Sequence, residues 1–369
     1  FQVARVDESK EMGPPLPGGS GEYRFSFERM DAAVAAYTSR GFDLALQLMH
    51  APDWAIEEDY AHIEENRWRY PHREKPQRAY TRALVKRYGE EARFIQVFNE
   101  PDQADFWAGT PEEFLEHFRF TLDEIRRHAP GVPVANGGYS LVDPERTRFF
   151  IERLRGQIDL PAYHSHGDLP SLREDFSRIR TMHEEAGYES PRFINTEMGF
   201  DGWRLDQEWR KGQNVPQKTL FCWGNDHAGV LLFSGRMTFG PIRSKQDFGF
   251  LDHFFCPRYV YGSTAALVTA LRGARFERKW RETDELFVYE FRRGDQSILA
   301  GFSLGSEVAV PLRIGEGRVV EAIDEMGNRS AGPASPDESG QVSWELDGYP
   351  RYLIVDGEFE VGRGGDFAE

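Results

Sequence analysis

The regular alternation of short apolar segments with amphipathic helical segments constrains the fold of this chain most. Seven segments have the length and composition of buried strands, and amphipathic stretches lie between them. These strands are predicted at residues 1–6, 43–49, 94–98, 132–135, 160–164, 192–196 and 229–233. Strand–helix alternation is typical of parallel βα units, so the sequence predicts an α/β fold.

A closed (β/α)8 TIM barrel needs eight strands, one more than the seven predicted here. The chain has no initiator Met and begins inside the first predicted strand. We therefore expect further sequence upstream of Phe1, with room for a first barrel strand and for a secretory or periplasmic signal peptide. The alternative is an open doubly wound sheet, which collects its ligands at one switch point. Candidate site residues here end several different strands, and this pattern favours the barrel.

The sequence changes character after Leu271, where short alternating strands and glycine-containing turns replace the βα pattern. Such a pattern is typical of an antiparallel β-sandwich. We predict a catalytic barrel over residues 1–272, a β-sandwich over 273–360 and a frayed tail over 361–369. Strands are predicted at residues 285–292, 297–303, 307–313, 318–323, 342–346 and 351–355.

The charge of the chain restricts its partners. The 369 residues carry a formal net charge of -16, which opposes binding to nucleic acid and to anionic membrane surfaces. The same charge disfavours a strongly sulfated or uronate-rich saccharide unless local basic patches override it. No apolar run is long enough to span a bilayer. The two cysteines, Cys222 and Cys256, form neither a metal-ligand spacing nor a disulfide framework.

Two glutamates lie at the C-terminal ends of predicted strands, where barrel enzymes have their catalytic residues. The first predicted site is Glu100, because an apolar strand runs into Asn99-Glu100 and Pro101 stops strand pairing directly afterwards. The second is Glu197, which ends a β-rich run two strands later and is followed by the turn-forming Gly199. If residues 1–6 form the second barrel strand, these glutamates end the fourth and seventh strands and can face each other across the barrel mouth.

The Asn99-Glu100-Pro101 and Thr196-Glu197-Met198 motifs resemble those of the clan A glycoside hydrolases, which are retaining (β/α)8 enzymes. Within this clan, the segments 23–26 and 52–55 are similar to family 39. The resemblance covers roughly residues 1–271, and the β-rich C-terminal module also fits the clan. It implies that Glu100 is the acid/base and Glu197 the nucleophile. Glycoside cleavage by retention needs this pair, with carboxyl groups about 5–5.5 Å apart.

The same resemblance implies supporting roles for residues near the two glutamates. Arg5 ends the first predicted strand, where a cation would keep the nucleophile ionised. Asn99 is similar to the asparagine that binds the 2-hydroxyl of the sugar. The clan places a Tyr or His against the nucleophile at the end of strand six, and Tyr163, His164 and His166 are all candidates. A His-x-His pair is also a possible metal site, so a metal-dependent hydrolase using His164 and His166 is an alternative.

Aromatic side chains in the predicted loops are candidates for stacking on sugar rings. Those predicted to bind substrate are Trp54, Trp107, Trp203 and Trp223, together with His50, which follows the third barrel strand. The chain departs from the clan at the end of strand eight, where Phe233 replaces the usual Trp. For each aromatic residue, ordinary core packing is the competing interpretation.

The sequence therefore predicts a retaining glycosidase that cleaves a β-glycosidic bond in an oligo- or polysaccharide. It needs no cofactor and no metal ion, and it has no nucleic-acid or membrane partner. A catalytically inactive carbohydrate-binding barrel is the main alternative. The sequence does not define the sugar, the linkage, exo or endo action, or the oligomeric state.

Overall fold

The protein is described by a computed structural model that covers residues 3–7, 12–13, 23–49, 52–202, 205–236, 247–331 and 341–362. Side chains are described for these residues except 3–7, 12–13 and 205–206. Within this part of the chain, no helix is long and apolar enough to cross a membrane. Two compact units are distinguished by their internal contacts. The first comprises Phe1–Ser165, Arg173–Glu197 and Ala228–Leu231, and the second comprises His166–Leu172, Met198–His227 and Leu232–Glu369.

Strands and helices alternate along the first two-thirds of the chain, as the sequence predicts. The strands are β1 (Val3–Asp7), β2 (Met12–Gly13), β3 (Arg24–Phe25), β4 (Asp43–Leu48), β5 (Ala92–Val97), β6 (Val134–Ala135), β7 (Ala162–Ser165), β8 (Ile194–Met198) and β9 (Gly229–Leu232). The helices are α1 (Glu28–Thr38), α2 (Glu74–Tyr88), α3 (Pro111–His128), α4 (Pro144–Arg153), α5 (Leu169–Glu185), α6 (Leu205–Gly224) and α7 (Tyr259–Ala270). All seven predicted βα strands are confirmed, and their ends lie within two residues of the predicted positions.

These strands follow one another in space in the same order as in the chain. The strands β1, β4, β5 and β6 form one sheet in that order, and each adjacent pair is parallel. The strands β7, β8 and β9 form a second sheet in sequence order. Parallel bridges from Ala135 to Leu160 and from Tyr139 to Tyr163 connect β6 and the loop after it to the β7 region. Sequential parallel order of this kind is typical of repeated βα units.

One buried cluster joins the strands of the first unit. Six consecutive strands, β4 to β9, each contribute one side chain to it. Its members are Ala45, Phe94, Ala135, Ala162, Ile194 and Leu231. Side chains from strands so far apart in the order can meet only if the strands curve around a shared interior.

Helix α3 shows why the helix boundaries could be predicted. Thr110 is its N-cap, and its side chain accepts a hydrogen bond from the backbone of Glu113. The Glu113 carboxylate accepts a hydrogen bond from the Thr110 backbone N–H in return, at 2.7 Å. This capping box and Pro111 in the first turn satisfy or remove donors that a helix N-terminus otherwise exposes.

The C-terminal part of the second unit consists of two antiparallel sheets. Their strands are β10 (Arg275–Glu282), β11 (Leu286–Arg293), β12 (Gln296–Ser303), β13 (Val308–Ile314), β14 (Arg318–Ile323), β15 (Arg329–Ser330), β16 (Gln341–Leu346), β17 (Arg351–Asp356) and β18 (Phe359–Val361). One sheet has the order β10-β11-β12-β17-β14-β15 and the other β16-β13-β18. A single core cluster includes Val288, Leu299 and Leu353 of the first sheet and Leu312 and Trp344 of the second. The two sheets therefore pack face to face as a β-sandwich.

The six predicted sandwich strands are confirmed, while β10, β15 and β18 were not predicted. Helix α7 ends at Ala270 and β10 begins at Arg275, so the predicted boundary at residue 272 falls in the connection between them. The division into a 1–272 domain and a 273–360 domain stays a prediction. Most of the predicted tail, residues 363–369, lies outside the described residues. Cys222 is buried and Cys256 is exposed, and no disulfide joins them.

Candidate active site

The end of β5 holds Glu100 in a strained turn. Phe98 and Glu100 both have positive φ angles, 73° and 41°, which side chains other than glycine adopt at an energetic cost. Backbone hydrogen bonds fix the turn on both sides: the Phe98 N–H donates to the Leu48 carbonyl, and the Glu100 N–H donates to the Gly137 carbonyl, each at 2.7 Å. The Glu100 side chain is buried as a result. Strain of this kind is concentrated at functional sites.

Both carboxylate oxygens of Glu100 have a polar partner. Oε1 lies 2.5 Å from His164 Nδ1, and Oε2 accepts a hydrogen bond of 2.7 Å from Gln103 Nε2. The other ring nitrogen of His164, Nε2, lies 3.1 Å from Thr196 Oγ1. His164 thus links Glu100 to Thr196 through its two ring nitrogens.

Glu197 lies on β8 and completes the group. Its Oε2 is 3.8 Å from His164 Nδ1, and its side chain is almost fully buried. One carboxylate oxygen of Glu100, one of Glu197 and one ring nitrogen of His164 all lie within 4.8 Å of one another. The two predicted carboxylates and one of the three predicted strand-six residues are therefore brought together inside the first unit.

Asn99 lies beside this group with its amide oriented by a neighbour. Gln47 of β4 donates from Nε2 to Asn99 Oδ1 at 3.0 Å and to the Phe98 carbonyl at 3.2 Å. Because its oxygen accepts from Gln47, the Asn99 amide nitrogen is the group suited to donate to a sugar hydroxyl.

Gly138 is required for the packing around His164. It has a φ of +66°, and a Cβ atom at this position would lie 2.1 Å from His164 Nε2 and 2.8 Å from Thr196 Oγ1. Any larger residue would displace the imidazole from Glu100, so glycine here serves both the backbone conformation and the close approach.

Asp102 anchors the turn from behind. It is buried and accepts hydrogen bonds from the backbone N–H groups of Ser140 and Leu141 at 3.1 and 2.8 Å, and from the hydroxyls of Ser140 and Thr147. Burial raises the pKa of its carboxyl, although the four donors act in the opposite direction. Asp102 thus ties the segment after Glu100 to the loop after β6.

We expect Asp102→Ala to destabilise the protein by about 2–4 kcal/mol, because it leaves one buried and one partly buried backbone N–H group without an acceptor. Asp102→Asn keeps one acceptor oxygen and should lower the free energy of unfolding by a smaller amount. Urea unfolding monitored by fluorescence measures the effect. Asp105→Ala is the matched control, since the Asp105 side chain is 85% exposed and pairs with Arg69 at the surface. Equal losses in the free energy of unfolding for Asp102→Ala and Asp105→Ala would contradict the anchoring role of Asp102.

Two of the predicted substrate-binding residues are fully buried. Trp107 contacts Phe98 edge-on and donates from Nε1 to the Thr110 carbonyl. It offers no ring face to a sugar, and this favours core packing, the competing interpretation. Tyr163 packs its ring against Phe176, and its predicted contact with the nucleophile stays a prediction.

Other predicted residues have defined surroundings but remain untested as sugar contacts. Trp54 is half-buried and stacks on Tyr23 at 5.7 Å. Trp223 of α6 meets the Phe291 ring of β11 edge-on at 6.3 Å. The His166 ring contacts Phe233, the residue that replaces the expected Trp, at 5.5 Å. The Arg5 side chain, His50 and Trp203 lie outside the described residues.

Three residues of the site were not predicted, namely Gln103, Thr196 and Gln47. The only available signal was position: Gln103 follows Glu100 by three residues, and Thr196 precedes Glu197. Their contacts depend on the positive φ of Glu100 and on which strands are neighbours, and neither is visible in the sequence.

The geometry of this site also bears on the alternative of a metal-dependent hydrolase. The three clustered side chains carry oxygen and nitrogen donors close enough to share one ion. However, Glu100 and Thr196 already engage both ring nitrogens of His164. An ion would have to replace one of these contacts.

No protein-family model matches the chain, and no curated protein matches it. Several solved structures have a similar fold. A family 39 glycoside hydrolase from the gut symbiont Bacteroides cellulosilyticus WH2 aligns with a TM-score of 0.72 and 16% identity, over 96% of this chain and 76% of that one. A monomeric β-xylosidase from Caulobacter crescentus CB15 aligns with a TM-score of 0.68 and 13% identity, over 96% and 90%.

The chain has the fold of the clan A glycoside hydrolases of families 39 and 30. For family 30, the xylanase Xyn30A from Clostridium acetobutylicum aligns with a TM-score of 0.60 and 11% identity, over 97% of this chain and 89% of that one. At such identities the likeness establishes the fold, and the chemistry must be argued from the residues of this chain.

Proposed function

We propose that the protein is a retaining glycoside hydrolase, built on a (β/α)8 barrel with a C-terminal β-sandwich. The observation that carries the proposal is the pair Glu100 and Glu197, with carboxylate oxygens within 4.8 Å. Retaining pairs are about 5–5.5 Å apart, whereas inverting pairs are about 6.5–9.5 Å apart to admit a water. The shared core of β4 to β9 supports the barrel.

Glu197 acts as the nucleophile in this proposal and Glu100 as the acid and then the base. Glu197 attacks the anomeric carbon while Glu100 protonates the leaving oxygen, so the glycosidic bond breaks as a glycosyl ester forms. Glu100 then takes a proton from water, and the resulting hydroxide equivalent releases the sugar from Glu197. Asn99 donates to the 2-hydroxyl, and Arg5 would keep Glu197 ionised.

His164 and Gln103 hold Glu100 ready for this exchange. His164 Nδ1 lies against Oε1, while Gln103 holds Oε2. His164 therefore supports the acid/base, in addition to its weaker contact with Glu197. In the proposed reaction, Glu100 gives a proton to the leaving group and regains one from water in each cycle.

The substrate class follows from the proposed reaction and from the similar structures. We propose a β-linked oligo- or polysaccharide, and xylosides are the first to test because similar folds include a β-xylosidase and a xylanase. A panel of aryl β-glycosides should give turnover of at least one sugar. Proton NMR of the first-formed anomer should then show retention. Release of the inverted anomer would contradict the proposal.

The two alternatives are separated by simple measurements. An inactive carbohydrate-binding barrel does not need two carboxylates at the spacing of a retaining pair. The observed spacing of Glu100 and Glu197 therefore does not favour this alternative. A metal-dependent hydrolase should contain a stoichiometric metal ion and lose turnover in a chelator. We expect glycosidase turnover to persist in a chelator.

Gln103→Leu should lower kcat/KM for substrates with poor leaving groups by about tenfold, because it removes the hydrogen bond that orients Oε2 of Glu100. Initial rates with a series of leaving groups measure this loss. Gln157→Leu is the control, because the Gln157 amide donates to the Arg153 carbonyl instead. An unchanged kcat/KM in Gln103→Leu would remove Gln103 from the acid/base assembly.

A further inference from the structure

A groove with a volume of about 690 Å³ runs along helix α2 in the first unit. Its size falls within the range of ligand pockets. One wall is formed by α2, including Lys75, Arg78, Arg82 and Lys86, and the other by the rings of Tyr23 and Phe25. The residues that line this groove, which we call the α2 groove, have no part in the proposed reaction.

The α2 groove is basic in a strongly acidic chain. Four cations line it, and the single lining carboxylate, Glu74, is bound to Arg78 at 2.7 Å. Lys75 and Lys86 are exposed and eleven residues apart, which places them about 16 Å apart along the helix axis. Because the chain carries a net charge of -16, this concentration of positive charge departs from its general composition.

The two arginines are held in place from behind. Glu124 of α3, with a side chain only 1% exposed, pairs with Arg78 at 3.4 Å and with Arg82 at 2.9 Å. Asp123 of the same helix also pairs with Arg78, at 3.2 Å. These carboxylates fix the guanidinium groups and offset part of their charge. Among the described residues, Lys75 and Lys86 form no ion pair, and the arginines supply ordered N–H donors between them.

The opposite wall is apolar and also ordered. The Tyr23 ring stacks on Trp54 at 5.7 Å, and the Phe25 ring stacks on Phe27 at 5.8 Å. Half-buried rings fixed in this way can pack against the C–H face of a sugar. The α2 groove thus combines aromatic faces with cations spread along a line.

We propose that the α2 groove is a second saccharide site, which binds oligosaccharides carrying carboxylate or sulfate groups. The anionic groups meet Lys75 and Lys86, and the sugar rings pack on Tyr23 and Phe25. A saccharide fits better than a nucleic acid, because the charge of the whole chain opposes a dense polyphosphate. The choice of a saccharide rests on the proposed function, whereas the binding of an anion does not.

Calorimetric titration of the full chain tests this proposal with four probes. These are oligogalacturonate, sulfated dextran fragments, neutral dextran fragments of the same length and polyglutamate. We expect one or both anionic saccharides to bind, with affinity that falls as salt is added, and the neutral saccharide to bind at least tenfold more weakly. The two anionic saccharides distinguish carboxylate from sulfate recognition.

The double variant Lys75→Glu/Lys86→Glu should weaken anionic saccharide binding at least tenfold. The control Arg119→Glu/Arg180→Glu makes the same charge change at exposed positions on α3 and α5, and it should change the affinity less than twofold. Tyr23→Ala should weaken the binding of the anionic saccharides but leave any binding of polyglutamate unchanged. Equal weakening in both double variants, equal affinity for polyglutamate, or no binding of either anionic saccharide would overturn the proposal.

Turnover of a small neutral aryl glycoside separates this proposal from the proposed function. It should be unchanged in Lys75→Glu/Lys86→Glu, because neither lysine belongs to the Glu100–Glu197 site. If no glycoside is turned over but anionic saccharides bind, the proposed function is wrong, and the proposal that the α2 groove binds anionic saccharides is still supported.

Discussion

Glu197→Ala should lower turnover of every glycosidic substrate by roughly 10⁴- to 10⁶-fold, as removal of an enzymic nucleophile does. The alanine leaves space beside the anomeric carbon that a small anion can occupy. Added azide should therefore restore part of the activity with an activated aryl glycoside. The product should be a glycosyl azide of inverted configuration, because only one displacement takes place. Initial rates and NMR of the azide product measure both effects.

Glu189→Ala is the control for the nucleophile, since Glu189 is an exposed glutamate in the connection before β8. Its activity should equal that of the unaltered protein. Circular dichroism and urea unfolding should show that Glu197→Ala is folded. A folded Glu197→Ala variant with unaltered activity would refute the assignment of Glu197.

Glu100→Ala should show a loss of activity that depends on the leaving group. Substrates with poor leaving groups need protonation, so their kcat/KM should fall by about 10²- to 10⁴-fold. Activated aryl glycosides need little protonation and should form the glycosyl-enzyme at nearly the normal rate. Without a base, that intermediate should accumulate, which lowers both kcat and KM. A plot of log kcat/KM against leaving-group pKa measures the difference.

Azide should also act on Glu100→Ala, but with the opposite stereochemical result. It attacks the accumulated glycosyl-enzyme, so the product should be a glycosyl azide of retained configuration. Glu116→Ala, on the exposed face of α3, is the control. An equal loss for all leaving groups would argue against an acid/base role for Glu100.

Much of the fold could be predicted because local patterns and tertiary structure agree. Strands β4 and β5 are mostly buried and rich in apolar residues, and α3 has a complete capping box. Strand β10 was missed because its sequence, Arg-Phe-Glu-Arg-Lys-Trp-Arg-Glu, is dominated by charge. It lies at the edge of its sheet, where charged side chains remain in solvent and protect the edge from pairing.

The candidate site was predicted in part for a similar reason. Glu100 and Glu197 end strands, and strand ends can be located from the sequence. The rest depends on contacts between distant segments. The sequence places Trp107 in a predicted loop. In the structure its indole N–H donates to the Thr110 carbonyl at the start of α3, and its ring is buried in the core. The contact between His164 and Glu100 depends on the positive φ of Glu100 and on the absence of a side chain at Gly138.

Trapping of the glycosyl-enzyme tests the central claim most directly. An activated 2-deoxy-2-fluoro glycoside of the preferred sugar should inactivate the enzyme with a stoichiometry of one, because the fluorine slows hydrolysis of the ester. Mass spectrometry of a protease digest should place the added mass on Glu197, and Glu197→Ala should not be labelled. Label on another residue, or steady turnover without any adduct, would contradict a double displacement through Glu197.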